Sequence, residues 1–257
     1  MIGVVFVKKK RIIAIVCLLV LVGGYFGYKG FLLFNYRIEL DEEKIEVLKA
    51  SGDIINVTTN DYLEDDKILE FEGVTYKKFD DNFVLKEDEN YNPSIYPYYS
   101  YYLLEDNSDK YIALFKVGRI FSAYEVMTSS DVTTFGFSFK GTNKKELLKK
   151  NNLNNDFDIY KYIVDHYDDK VNIFSSKDKI RLNYLVKSYI NVAIPTSKIS
   201  VIDGDLKGFM YNVKDMVYEV HLMDEESSYG FSFWNTKDNS YFNQDNVMEF
   251  ISNVHLK

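Results

Sequence analysis

Residues 12–28 carry no charge, and Lys8, Lys9, Lys10 and Arg11 stand immediately before them. An uncharged apolar helix of that length is close to the shortest that crosses a bilayer core. A basic cluster at one end keeps that end in the cytoplasm. At about 1.5 Å per residue the run rises roughly 25 Å, slightly less than a hydrocarbon core near 30 Å. Extension through Lys29 and Gly30 to Phe34 gives enough length. Lys29 then snorkels toward the outer surface, among Tyr25, Phe26, Tyr28, Phe31 and Phe34 as an aromatic belt. The expected layout is a basic cytoplasmic tail at 1–11, an anchor at 12–34 and an extracytoplasmic remainder. A cleaved signal peptide is the competing reading, with Val22-Gly23-Gly24 as a small-residue site. The absence of an A-x-A pattern and the apolar character beyond the glycines favour a retained anchor.

Charge separates sharply along the chain. Residues 1–34 hold five of the thirty-one basic residues and none of the thirty-nine acidic ones. The remainder therefore has twenty-six basic against thirty-nine acidic residues, a net of −13. Such a domain is soluble and is repelled by phosphate backbones, which argues against nucleic acid as a partner. Its only cysteine, Cys17, lies in the apolar run. The exported part therefore has no disulfide and depends on an ordinary hydrophobic core.

Hydrophobic periodicity predicts an α+β fold: antiparallel sheet with helices on one face, in two related halves at 35–142 and 143–257. Helices are expected over 42–50, 156–167, 177–192 and 245–254, and after Asn143 as an N-cap. Strands are expected over 54–58, 68–78 with a break at Gly73, 82–86, 91–104, 110–117, 119–127 and 133–140. Gly118 reads as a turn or bulge between two of these. Further strands are expected over 198–202, 206–213, 216–222 and 229–234.

Two blocks repeat at an offset of 94 residues. Tyr124-Glu125-Val126 recurs as Tyr218-Glu219-Val220, and Phe135-Gly136-Phe137-Ser138-Phe139 as Tyr229-Gly230-Phe231-Ser232-Phe233. Over residues 124–144 against 218–238, eight of twenty-one positions are identical. A duplication of a hairpin and its aromatic strand face is the expectation, with Phe137 and Phe231 as equivalent core positions.

Recognisable chemistry is scarce. The chain has no nucleophile elbow, zinc-protease helix, phosphate loop, dinucleotide fingerprint or calcium loop. No cofactor and no metal site are expected. His166 falls on the apolar side of a helix, His255 lies near the end, and His221 shares a strand face with Glu219. Asp80-Asp81, Asp168-Asp169 and Asp203-Gly204-Asp205 suit turns better than calcium. Glu125 and Glu219, equivalent in the two blocks, could form an acid/base pair only at a suitable separation, and solvated strand glutamates are the commoner reading. The strongest binding signal is the segment Tyr96-Pro97-Tyr98-Tyr99-Ser100-Tyr101-Tyr102. Tyrosine offers large contact area and a polar tip at low entropic cost. Tyr96, Tyr98, Tyr99, Tyr101 and Tyr102 are the candidate contacts, with Pro93 and Pro97 favouring a sheet edge or approach loop. The expected function is a non-catalytic, membrane-anchored extracytoplasmic binding protein, envelope accessory or immunity- and inhibitor-like. Its partners would be the membrane and a protein or envelope glycan. The alternative is a carboxylate-based cell-envelope hydrolase.

Overall fold

The computed structural model describes residues 2–35, 37, 40–50, 53–61, 68–71, 73–77, 83–87, 99–106, 112–120, 122–129, 143–224, 228–235 and 242–256. Of these, residues 2–11, 35, 50, 68–71, 77, 83–87, 99–106 and 112–120 are described by their backbone. The chain is mixed α+β with a mostly antiparallel sheet, and one long apolar helix precedes it.

Helix α1 (Ile2–Asn35) takes in the basic cluster and the whole uncharged run. Its stretch Ile12–Phe34 is long and apolar enough to cross a membrane. From Ile12 to Leu21 its large side chains stand 53–71% exposed. Its last turns behave differently. Leu32 is buried, Phe26 meets Phe174 edge-on at 6.0 Å, and the Lys177 ammonium lies 5.5 Å over the Tyr28 ring. Lys29 was expected to reach water; it is buried instead, with its Nζ 4.7 Å over the Tyr25 ring. The cause is local: these turns pack against the body of the protein rather than standing free of it.

Helix α2 (Glu42–Ala50) begins where Asp41 Oδ1 accepts the Glu43 amide at 2.9 Å. Strand β1 (Ile54–Val57) follows. Then β2 (Ile68–Phe71) and β3 (Val74–Lys77) form a hairpin about Gly73, whose φ of +89° favours a residue without a Cβ. Strands β4 (Phe83–Glu87), β5 (Tyr99–Asp106) and β6 (Ile112–Ile120) pair in sequence as antiparallel neighbours. Helices α3 (Ala123–Thr128), α4 (Lys144–Lys150), α5 (Asp156–His166) and α6 (Lys177–Ala193) come next. Ser122, Asn143, Asn155 and Ser176 cap them, each side chain accepting an amide hydrogen three residues on. The meander β7 (Lys198–Gly204), β8 (Lys207–Val213), β9 (Val217–Met223) and β10 (Ser228–Trp234) leads to α7 (Gln244–Ile251) and β11 (Val254–Leu256).

Among the described residues these strands form two sheets, ordered β1-β7-β8-β9-β10-β6-β5-β4 and β11-β3-β2. The large sheet is antiparallel except where β1 runs parallel to β7. Pairing of β10 with β6 joins strands from both sides of residue 142, so the two expected halves share one sheet. Helices were expected on one face only, but the sheet is covered on both. Phe209 and Tyr211 pack under α4, α5 and α6 with Ile163, Leu185 and Tyr189. Alternate positions pack oppositely: Val220, Phe231 and Phe233 meet Val247, Phe250 and Ile251 of α7 and Tyr76 of β3. Strand alternation sends neighbouring side chains to opposite layers, so a strand buried on both faces reads as continuously covered. β10 does this from Ser228 to Phe233.

Three further expectations are corrected. Gly118 is no turn; it sits inside β6, opposite Gly230 and Tyr99, because its neighbours complete ladders on both sides. Residues 119–127 are not one strand: β6 ends at Ile120, Ser122 caps, and Tyr124, Glu125 and Val126 lie in α3. Their sequence partners Tyr218, Glu219 and Val220 lie in β9, so that part of the repeat has no common secondary structure. The second aromatic segment, 135–139, lies outside the described residues, as does its Phe137. Finally, Val254 opens β11 beside Tyr76 rather than ending a helix.

Phe231 is fully buried, edge-on to Tyr76 at 6.3 Å and to Phe250 at 5.9 Å. Phe231→Ala should lower unfolding free energy by about 3–5 kcal/mol, the cost of an aromatic cavity. Denaturant titration followed by circular dichroism would measure it. A change below about 1 kcal/mol would show that this layer is not a packed core.

Candidate functional site

The tyrosine segment enters the large sheet as β5, one strand in from the β4 edge. Tyr99, Tyr101 and Tyr102 stand opposite Gly118, Lys116 and Phe115 of β6, and Tyr102 also opposite Glu87 of β4. The described part is therefore an inner strand rather than an edge. Tyr96 and Tyr98, like Pro93 and Pro97, lie outside the described residues. Lys8, Lys9, Lys10 and Arg11 fall within the helical backbone of α1.

Ladder register relates the tyrosines to the second group that the sequence singles out. One cross-strand row runs Tyr211, Glu219, Ser232, Lys116, Tyr101; the next runs Phe209, His221, Gly230, Gly118, Tyr99. Three strand spacings of about 4.8 Å separate β9 from β5, roughly 14 Å in all. His221 and Glu219 do meet as expected: Nε2 lies 2.9 Å from Oε1. The imidazole is nine-tenths buried, edge-on to Tyr211 at 5.1 Å, and tilted against Tyr160 at 6.4 Å. Its Nδ1 is covered and has no hydrogen-bond partner among the described residues.

Above this pair lies a cluster of buried phenols. Tyr160 Oη and Tyr189 Oη are 2.8 Å apart, with rings edge-on at 6.0 Å, and Tyr211 is buried beside them. Burial pushes all three hydroxyls well above the ordinary tyrosine value of 10; charge on a neighbouring phenol raises each further, partly offset at Tyr160 and Tyr211 by hydrogen bonding within the cluster. The cluster is consequently neutral through the physiological range. Its Tyr160–Tyr189 hydrogen bond gives α5 and α6 a directional contact that hydrocarbon packing alone does not supply.

The most heavily bonded group in this layer is one that sequence reading did not identify. Asp156, in the first turn of α5, is 5% exposed. Its Oδ1 accepts from Ser122 Oγ at 2.6 Å and from the Tyr124 amide at 2.8 Å. Its Oδ2 accepts from the Ala123 amide at 3.0 Å and from Ser228 Oγ. One carboxylate thus caps α3, starts α5 and holds the first residue of β10. In sequence it looks like any first-turn acid, and nothing local signals that two other elements converge on it.

Among the described residues, Asp203, Asp205 and Asp169 make structural contacts. Asp203 accepts from Gly204 N at 3.0 Å and pairs with Lys207, whose ammonium holds its carboxyl below the usual range. Gly204 has φ +136°, and a Cβ there would fall 2.4 Å from the Val57 carbonyl oxygen. Asp205 Oδ2 accepts the Thr59 amide at 3.0 Å. Asp169 lies 3.5 Å from both His166 and Lys179. His166 is partly buried, stacked on Tyr162 at 4.2 Å and 3.5 Å from Asp169. His255 Nε2 bonds the Asn60 carbonyl at 2.8 Å. Asp80 and Asp81 lie outside the described residues. Among the described residues no three His, Cys, Asp or Glu side chains are arranged to hold a metal. A pseudo-symmetric pairing of Glu125 and Glu219 does not follow from the fold, since Glu125 is exposed on α3 and Glu219 belongs to β9.

Two outcomes follow from these networks. Asp156→Ala strands two amides and two hydroxyls in a buried layer, so it should cost about 3 kcal/mol or more. A melt unchanged within about 0.5 kcal/mol would show these groups re-satisfied by water. The phenol cluster ionises in the unfolded chain near pH 10 but resists ionisation when folded. Its contribution is complete below pH 10 and lost as pH rises beyond that, by up to about 1.4 kcal/mol per pH unit for each phenol. Tyr160→Phe should flatten the alkaline limb of stability against pH; an unchanged slope would remove this residue from the effect.

No protein-family model matches the chain, and neither a curated protein nor a solved structure is significantly similar to it.

Proposed function

We propose that the chain is a membrane-tethered extracytoplasmic binding protein, with its basic tail in the cytoplasm and its sheet domain outside. One observation carries the reading: a long apolar helix, 53–71% exposed from Ile12 to Leu21 in its large side chains, runs without interruption into turns packed on a folded domain. So much contiguous apolar surface is stable in lipid and a liability in water. The cluster Lys8-Lys9-Lys10-Arg11 supports the orientation through the positive-inside bias.

Binding rather than catalysis is supported by the destinations of the polar groups. Asp156, Asp203 and Asp205 are taken up by caps and turns. The His221 imidazole is nine-tenths covered against Tyr160 and Tyr211, which suits a structural polar contact better than a substrate-facing one. The contact surface we favour is the β4–β5 end of the large sheet, where Tyr99, Tyr101 and Tyr102 are concentrated. Tyr96 and Tyr98 precede these in sequence. A protein or an envelope glycan is the partner whose chemistry suits clustered tyrosine.

Topology is the decisive test. Protease added to intact spheroplasts expressing the full chain should degrade the domain while a cytoplasmic control survives. N-terminal sequencing of the membrane-bound protein should begin at Met1 or its neighbour. A mature chain starting near Tyr25, released from membranes, would replace the anchor with a cleaved leader. Survival of the domain in intact spheroplasts would overturn the orientation.

A further inference from the structure

The turn between α5 and α6 carries Phe174, which at 79% is the most exposed large apolar side chain outside α1 among the described residues. A single exposed apolar residue is ordinary on a protein surface. Phe174 differs because its ring meets Phe26 of α1 edge-on, centroids 6.0 Å apart, and so continues the apolar surface of that helix. Residues 171–176, Val-Asn-Ile-Phe-Ser-Ser, hold no charge, with Lys170 before them and Lys177 after. The nearest acids in sequence, Asp169 and Asp178, lie beyond those lysines. In a strongly acidic domain, an uncharged turn between two lysines is a segment that lipid does not repel.

Hydrogen bonding within the turn suits it to a water-poor layer. The Asn172 amide donates to Ser175 Oγ at 3.1 Å, and the Phe174 amide to Asn172 Oδ1 at 2.9 Å. The Ser175 amide donates to the Asn172 carbonyl at 3.0 Å, and Ser176 Oγ accepts from the Lys179 amide to start α6. Amides bonded to one another lose little when water is removed, whereas open donors are costly in lipid. The Lys177 ammonium lies 5.5 Å over the Tyr28 ring, whose face attracts a cation where water is scarce.

Depth follows from the contact with α1. Phe26 precedes Phe34, the end of the apolar span Ile12–Phe34, by eight residues, about 12 Å at 1.5 Å per residue. A bilayer that covers the whole span covers the level of Phe26, and Phe174 lies against it. Burial of Lys29 and Leu32 in the following turns of α1 fixes that relation.

We infer that the α5–α6 turn enters the outer leaflet beside α1, with the Phe174 ring among the acyl chains, as a second attachment of the domain to lipid. The inference rests on the membrane-anchored reading above and adds to it a surface of the domain itself.

Tryptophan fluorescence of the full chain in phosphatidylcholine bilayers with brominated acyl chains tests it, because bromine quenches an indole only at close range. Trp234 is the single tryptophan and is 40% exposed at the end of β10, so wild type supplies the reading of a water-facing site. Phe174→Trp and Leu19→Trp, each combined with Trp234→Phe, report the turn and the anchor. Indoles at positions 174 and 19 should be quenched several-fold more strongly than Trp234, and aqueous iodide should give the reverse order. Should Phe174→Trp not fold, Ile173→Trp in the same turn gives the same reading. Quenching in the turn no greater than at Trp234, with position 19 quenched, overturns the inference and leaves the anchor standing. No quenching at position 19 refutes the anchor reading and the inference with it. An indole in the turn shielded from both bromine and iodide also overturns it, in favour of a contact with a second copy of the chain.

Discussion

The pairing of β6 with β10 is the joint on which the sheet depends. It connects β4, β5 and β6 to the C-terminal meander, and without it the eight strands would separate into two groups. Asp156 closes one end of this joint. Ser122, Ala123 and Tyr124 follow β6 directly, Ser228 opens β10 opposite Ile120, and all four donate to the same carboxylate. A buried carboxylate is tolerable when its lone pairs are filled, and four donors fill them. The energetic asymmetry of such a group is its usefulness here. The net gain of each bond is modest, but any opening of the joint exposes unsatisfied groups on three elements at once.

Burial on both faces explains the composition of the joint. β10 presents Tyr229, Phe231 and Phe233 to α7 and β3, and carries Ser228, Gly230 and Ser232 at the alternate positions. Large residues on one face and small ones on the other follow from unequal layer spacing. Aromatic rings at 5–6 Å centroid distances fill the α7 side. On the other side, the Gly118–Gly230 pair brings two residues without side chains together at one rung of the ladder. The repeated motif of aromatics around Gly and Ser is therefore a signature of a two-faced strand. Tyr124-Glu125-Val126, by contrast, folds as helix where its sequence partner Tyr218-Glu219-Val220 is strand.

Much of this was legible because periodicity is a local property. Helices α2, α5 and α6, and strands from β7 to β10, lie within a few residues of their expected bounds. Gly73 announced its hairpin because positive φ is a requirement of one residue alone. What failed depends on partners distant in sequence. Gly118 looked like punctuation, yet it is flanked by strands contributed by residues 99 and 230. α3 is only six residues long, and its N-terminus is stabilised by Asp156 from thirty-three residues away, a contact no window contains. His221 and Glu219 were readable as a pair because both lie on one strand face, two residues apart. Asp156 was not, because its four donors come from two other segments.

The relation of the anchor to the domain is set by packing rather than by a linker. A flexible tether would leave the last turns of α1 exposed, and the domain free to stand off a bilayer by the length of the chain. Here Lys29 and Leu32 are buried, and Phe26 and Tyr28 contact residues at the start of α6. A helix fixed this way couples its tilt to the orientation of the sheet. A bilayer around residues 12–34 would then hold the domain at one height. A partner of the tyrosine strand would meet a surface presented in a restricted orientation, which lowers the rotational entropy lost on association. Rigid docking of α1 thus fixes the orientation in which the sheet would be presented from a bilayer.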